Sequence, residues 1–409
     1  MKINTGKPEL LAPAGTLDIL KIAFMYGADA VYCGTPAFAM RSRVGFDIKS
    51  LGEGIEYAHS LNKKVYVTLN SFPHSTEIEK LGEHVAKIAE LKPDAFIVAD
   101  PGVMKFVLDN FDIPVHLSTQ ANTTNQLSAQ FWADQGIERL VLARELSLKD
   151  IALIHKTVPN LQIETFVHGA MCMAHSGRCQ ISNYFAGRDP NKGACIQACR
   201  FKYKMYALEE EYRPGELFPI YEDEEGTHIL NSKDLCMIDH LDDIVKSGVI
   251  SLKIEGRLKS EYYVATVVGA YRKAIDLLFS DPAQYQSAKA ELLEDVSKAA
   301  NRGLTTGFYY NEPDKDTNNY ASAKTKSEWG YVGRVISYDK EAKLLKFEAK
   351  NFLPVGAEIE ILAPEGIVKS KITQIIRDGE VLEVAHSGYI VEIPLDKPVC
   401  ADALIRMKL

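Results

Sequence analysis

No run of the 409-residue chain approaches the roughly 20 consecutive apolar residues that span a bilayer, so a helical membrane protein is excluded. Its opening, MKINTGKPELLAPAG, has no apolar stretch of signal-peptide length, and a soluble cytosolic protein is expected. Repeats and low-complexity tracts are absent, which removes solenoids and disordered chains from consideration. So are the short catalytic signatures: there is no HExxH, no GxSxG, no GxxxxGKS/T and no GxGxxG after a strand. A formal charge of -8, from 47 basic and 55 acidic residues, gives no broad attraction to nucleic acid, although a local basic surface can still grip a folded RNA. Cysteine is sparse and uneven. Five of seven fall between Cys172 and Cys236, whereas Cys33 and Cys400 stand alone. A reducing cytosol disfavours structural disulfides, so the clustering points to metal or redox chemistry.

What is present is apolar material for one large core and a smaller second domain, at 46% hydrophobic residues. Short apolar runs alternate with segments of helical period: ELLAPAG, ADAVYCG, KVYVTLN, AFIVAD, PVHLST, RLVLAR, LQIETFVHG and SLKIEGR read as eight strands. Eight core-type strands with intervening helices suit a closed parallel (βα)8 TIM-like barrel better than an open sheet, whose edge strands read as more polar. About 80 residues separate the seventh strand from the eighth, far more than a βα unit needs. The predicted organisation is a barrel over residues 1–300 with a cysteine-rich insertion at about 171–248, then a linker over 301–328. From 329 to 409 short alternating segments (GYVGRVISY, KLLKFEAK, AEIEIL, VKSKITQII, EVLEVAH, ALIRMK) predict a small antiparallel β-barrel.

In such a barrel the C-terminal ends of the strands face the reaction site. Polar residues there are Asn70, Asp100, His116 through Gln120, Arg144, Glu145, Glu164, His168, Lys253, Glu255 and Arg257. Any one of them reads equally well as a helix cap or a paired neighbour. KIEGR, however, sets Lys253, Glu255 and Arg257 on alternate positions, so the three share a face and need partners or a polar ligand. Glu164, His168, Lys253, Glu255 and Arg257 are the candidate catalytic residues.

The segment ETFVHGAMCMAHSGRCQISNYFAGRDPNKGACIQACRFKY carries most of the information. Cys172, Cys179, Cys195 and Cys199 fall within 28 residues and can converge on one ion or cluster. A structural zinc site would use the same ligands, and four inert buried thiols is the plainest alternative. Basic residues gather nearby, with Arg178, Arg188, Arg200 and Lys202 as candidate RNA contacts among Lys192, Lys204, Arg257 and Lys259. Tyr184, Phe185, Phe201 and Tyr203 lie among them and suit either base stacking or a small core of the insertion. His175 and Ser176 are neighbours in sequence only, and read as loop residues rather than parts of a triad.

At this segment the chain resembles peptidase family U32, the collagenase-like proteases. Glu164, Phe166, Gly169, Ala170, Met171, Cys172, Gly177, Cys179, Ile181 and Ser182 stand where that family's signature asks. The likeness extends to ELLAPAGTLDILKIAFMYGADAVYCG, SLKIEGRLKSEYYV, NRGLTTGFYY and the C-terminal small barrel, and so covers nearly the whole chain. It implies hydroxylation of RNA or quinone rather than proteolysis. The branch similar in architecture is required for 5-hydroxyuridine at the tRNA wobble position and depends on prephenate, here a co-substrate. The resemblance implies a [4Fe–4S] cofactor on Cys172, Cys179, Cys195 and a fourth cysteine. Cys199 is preferred there for its short spacing from Cys195, with Cys236 as the alternative. The partner implied is tRNA, with room for a partner protein of the same family and none for a membrane. A U32-type peptidase (a hydrolase) and a non-catalytic RNA-binding or assembly factor are the other functions carried forward.

Overall fold

A computed structural model describes residues 6–40, 45–172, 174–179, 181–200, 232–299, 301–310 and 327–409, with four two-residue strand fragments between 208 and 227. Seven parallel strands, β1 (Glu9–Pro13), β2 (Ala30–Cys33), β3 (Lys64–Leu69), β4 (Ala95–Val98), β5 (Val115–Leu117), β6 (Arg139–Val141) and β7 (Gln162–Ala170), follow one another around a sheet. An antiparallel strand, β8 (Asp234–Cys236), pairs outside β7, and β9 (Ser251–Ile254) joins β7 to β1 and closes the barrel. The eight sequence-predicted barrel strands are therefore β1–β7 and β9. They read as unbroken apolar runs because helices cover one face and the barrel interior the other.

Helices Leu17–Met25, Ile48–Ser60, Ile78–Ala89, Pro101–Asn110, Gln126–Asp134, Leu148–Thr157, Leu241–Lys246 and Glu261–Ser280 form the outer layer. Six start on a residue whose side-chain oxygen accepts the N–H three positions on: Thr16, Asp47, Asp100, Asn125, Ser147 and Ser260. Asp100 is thereby spent as a cap.

The main core lies between strands and helices. Inside the barrel, Leu11, Ala30, Tyr32, Tyr66, Ala95 and Ile97 form a small apolar set beside a layer of paired charges.

The tail of the expected insertion is barrel wall: β8 runs antiparallel to β7, from Asp234 opposite Ala170 to Cys236 opposite His168, and Leu241–Lys246 packs as a helix of the outer layer. The start of the expected linker also belongs to the barrel, because Leu304–Thr305 pairs with β8 and Tyr309 is buried. Residues 311–326 lie outside the described residues.

The C-terminal domain is an antiparallel sheet curled around its own core. Its strand order is Gly366–Lys371, Glu358–Ala363, Leu404–Lys408, Trp329–Asp339, Leu344–Ala349, Ile390–Pro394, Ile375–Arg377 and Glu380–Leu382. It docks on the barrel through a buried ion network. Arg406 Nη2 lies 2.6 Å from Glu360 Oε2 and 3.5 Å from Asp295 Oδ1, and Lys298 Nζ lies 3.4 Å from the same Glu360 oxygen. Tyr262 stacks on Tyr331, with ring centroids 5.6 Å apart.

Candidate functional site: a polar cup under a cysteine lid

The mouth of the barrel opens into one cavity built from two halves. The lower half is a cup made by strand ends: Thr68 on β3 and Asn70 just after it, Ser118, Thr119 and Gln120 after β5, Arg144 after β6, Phe166 on β7, and Lys253, Glu255 and Arg257 at and after β9. The upper half is the insertion, which brings Cys172, Ser176, Cys179, Cys195 and Cys199 to the same cavity.

The three KIEGR charges share this cavity as expected, although β9 ends at Ile254 and Glu255 and Arg257 follow it as loop. Each is held by a barrel partner. Lys253 Nζ lies 2.7 Å from Glu164 Oε1 and over the Tyr32 ring, 4.4 Å from its centroid. Glu255 Oε2 lies 2.9 Å from Arg144 Nη2, while the Arg144 guanidinium stacks 3.9 Å from the Phe166 centroid. Arg257, 6% exposed, donates to Thr68 Oγ1 at 2.8 Å and to the Met40 carbonyl. Gly34 makes room for this: a Cβ there would stand 2.3 Å from Thr68 Oγ1 and 2.8 Å from Arg257 Nη1. Asn70 completes the rim, donating to Gln120 Oε1 at 2.8 Å and accepting from the Met40 N–H at 3.1 Å.

Two of the candidate catalytic residues are placed elsewhere. Glu164, with no exposed surface, lies below the cup as the shared counter-ion of Lys253 and of Arg139, whose Nη1 is 3.2 Å away. Burial by itself would raise its carboxyl, but Lys253 and Arg139 outweigh that and hold it below the ordinary carboxylate range. Burial lowers the Lys253 ammonium against the opposing pull of Glu164. His116 belongs to the same lower layer, edge-on to Tyr66, and burial followed by the nearby Arg139 holds it down to about 3.

His168 points the other way. An extra β7 residue opposite the Lys253–Ile254 step shifts the alternation, and the imidazole packs against Tyr263 and Tyr271 of the helix Glu261–Ser280. Burial lowers it to about 3, so it is neutral.

In the lid, Cys172 is exposed and Cys179, Cys195 and Cys199 are half-buried, and none of the four is in a disulfide. Backbone N–H groups two residues on approach two sulfurs at 3.4 Å: Ile181 N to Cys179 Sγ and Gln197 N to Cys195 Sγ. Such donors stabilise thiolate and tune a bound cluster. Among the described residues no three His, Cys, Asp or Glu side chains converge on a single point as a lone ion requires. Four thiols line the one cavity, with N–H donors behind two of them, and are the residues that would hold a cluster. Cys236 does not line the cavity. It is 3% exposed, and burial pushes its thiol up to about 12.

Asn191, which sequence reading passed over, grips the Cys179 backbone twice, accepting from its N–H at 3.3 Å and donating to its carbonyl at 2.9 Å. Glu145 grips Ser176.

The basic candidates divide. Arg178 Nε donates to the Gln120 carbonyl at 2.8 Å and its guanidinium lies 5.0 Å from the Phe72 ring centroid, so it pins the lid to the barrel. Lys192 pairs with Glu77 at 2.9 Å. Arg188 is half-buried. The Arg200 side chain and all of Lys202 lie outside the described residues, as do the Tyr184 and Phe185 side chains.

Fold and site together define a (βα)8-barrel protein with a cysteine-bearing lid over a cationic and amide-lined cup. Residues 15–319 match peptidase family U32 and residues 327–406 match the peptidase family U32 C-terminal domain. The chain belongs to the peptidase U32 family. It is 39% identical over 429 residues to tRNA hydroxylation protein P of Escherichia coli, covering 95% of this chain and 94% of that protein. It is 40% identical to tRNA hydroxylation protein P of Helicobacter pylori, covering 97% and 98%. To the 23S rRNA 5-hydroxycytidine C2501 synthase of E. coli it is 34% identical, over 93% of this chain and 56% of that protein. No helix among the described residues is long and apolar enough to cross a membrane.

Proposed function

We propose that the chain is an RNA-hydroxylating enzyme that acts on tRNA, forming 5-hydroxyuridine at the wobble position. The reading adds a [4Fe–4S] cluster on Cys172, Cys179, Cys195 and Cys199 and a small anionic co-substrate, prephenate, in the cup. One observation carries it: four lid thiols and the cationic groups Arg144, Lys253 and Arg257 line a single cavity, in a chain 39% identical to a tRNA hydroxylation protein along almost its whole length.

When bound, the cluster supplies one-electron transfer, and with all four irons held by cysteine it offers no open iron for substrate. The rest is the work of the chain. Arg257, locked by Thr68 and Met40, presents a preoriented guanidinium to a carboxylate. Arg144 can turn to the same ligand when Glu255 releases it. Asn70 and Gln120 fix the neutral part of the ligand by amide hydrogen bonds. Lys253, its ammonium lowered by burial, is placed to hold or give up a proton at Nζ over the cup floor.

A peptidase reading gains nothing from the geometry: Ser176 is 2% exposed and its hydroxyl donates to Glu145, not to His175.

Anaerobically purified protein should be brown and carry about four irons per chain. Arg257→Lys should abolish tRNA hydroxylation with tRNA binding intact. Arg200→Ala or Lys202→Ala should weaken binding and lower its salt slope by about one counterion. Zinc in place of iron after anaerobic reconstitution, or loss of binding in Arg257→Lys, would refute the assignment.

A further inference from the structure

We propose that Glu145 is the positioning residue of the first cysteine loop, setting where Cys172 and Cys179 stand against the cup; the role builds on the cluster reading above. Glu145 follows β6 directly after Arg144. Both of its carboxylate oxygens are committed to one loop residue: Oε1 accepts the Ser176 N–H at 2.6 Å and Oε2 accepts the Ser176 hydroxyl at 2.8 Å. Ser176 lies between Cys172 and Cys179 and is 2% exposed. Its φ of 47° falls in the left-handed region that a residue with a Cβ adopts only when its surroundings impose it.

A two-oxygen, charge-assisted grip on the N–H and hydroxyl of the strained residue is such an imposition. The neighbouring side chain reaches the other half of the site, because Arg144 donates to Glu255 in the cup. Two consecutive residues at one strand end thus tie lid and cup to the same point of the barrel. The second pair of thiols does not touch Glu145: Ile196 N donates to Ser182 Oγ at 3.0 Å, and Asn191, from the same stretch, holds the Cys179 backbone at 3.3 and 2.9 Å as a second tie on that cysteine. Loss of the Glu145 carboxylate therefore acts first on the stretch from Cys172 to Cys179, where Asn191 still holds the far end, and leaves Cys195 and Cys199 in place.

The test uses the full-length chain, cluster-free and reduced, with iodoacetamide as probe and mass spectrometry to follow each cysteine. In Glu145→Ala, half-buried Cys179 should alkylate up to roughly tenfold faster than in wild type, as expected when a charge-assisted tie that restrains local opening is removed, whereas Cys172, already exposed, should change little. Cys195 and Cys199 should keep their wild-type rates, and the melting temperature should fall by no more than the few degrees that one lost tie costs. Glu145→Gln, which retains one acceptor and one donor toward Ser176, should fall between. After anaerobic reconstitution the Ala variant should hold less iron per chain, with an altered electron paramagnetic resonance spectrum, and the Gln variant should recover part of both.

Unchanged rates at all four cysteines would overturn the assignment. So would uniform acceleration at all four with a lowered melting temperature, which marks general support of the mouth. If wild-type protein takes up no iron, the cluster reading falls, while the pattern of alkylation still decides the role of Glu145.

Discussion

Replacing Glu164 distinguishes a scaffold carboxylate from a catalytic one. Its Oε1 faces Lys253 Nζ at 2.7 Å, and its Oε2 faces Arg139 Nη1 at 3.2 Å and the Ser251 hydroxyl at 3.3 Å. Arg139 keeps a second carboxylate, Glu9, at 2.6 Å, but Glu164 is the one carboxylate paired with Lys253 among the ion pairs of the described residues. Glu164→Ala therefore leaves a buried ammonium without its counter-ion, a change that costs about 3–5 kcal/mol. That is a large part of a total stability of about 5–15 kcal/mol. At about 2–4 °C per kcal/mol for a chain of a few hundred residues, the melting temperature should drop by roughly 10 °C. Differential scanning calorimetry measures this directly. Glu164→Leu combined with Lys253→Met, which removes both charges at similar volume, should recover most of the loss, since a buried ion pair and a well-packed apolar pair are close in stability. A Glu164→Ala protein that melts within about 2 °C of wild type while losing all hydroxylation would refute the placement of Glu164 in the scaffold.

Other outcomes follow from the same geometry. Cys199→Ala should lose iron in anaerobic preparations, whereas Cys236→Ala should retain it, as metal analysis can show, because the Cys236 thiol is buried away from the cavity. Gly34→Ala should push on Thr68 and Arg257 and so raise KM for the proposed anionic co-substrate several-fold, measurable by steady-state kinetics, and lower the melting temperature, measurable by calorimetry. His116 and His168 are held neutral, down to about 3, chiefly by burial. An unfolded chain takes up protons at these positions below about 6.5, so stability is full above that pH and falls as pH drops toward 3. By pH 5 each histidine should cost about 2 kcal/mol, and thermal melts at pH 7 and pH 5 should show a smaller loss in His168→Phe than in wild type.

The barrel was legible in the sequence because its strands are buried on both faces and read as apolar runs between helical segments; all eight appear where expected. β8 was not, since its three residues sit inside the cysteine-rich stretch with no alternation to mark them. In the C-terminal domain VKSKITQII is two strands, Gly366–Lys371 and Ile375–Arg377, and the strand Ile390–Pro394 was missed among its short neighbours. For the site, period-2 alternation grouped Lys253, Glu255 and Arg257, which line one cavity although Glu255 and Arg257 belong to the loop after β9, and alternation carries no depth. It cannot tell Glu164, one layer below the cup, from Phe166, which lines it. Nor does it register the extra β7 residue that turns His168 outward. The roles of Glu145 and Asn191 depend on contacts across 31 and 12 residues of chain, which no local pattern announces.

If the cysteine lid and the charged cup serve one RNA hydroxylation, the nucleosides of bulk tRNA report it in a strain lacking the gene and in the same strain carrying wild type, Cys172→Ala, Cys199→Ala or Arg257→Lys. Nucleosides derived from 5-hydroxyuridine should disappear on deletion, return with wild type and stay absent with each of the three variants. Unchanged nucleosides in the deletion strain, in the absence of a second gene of the same family, or full restoration by a cysteine variant, would contradict it.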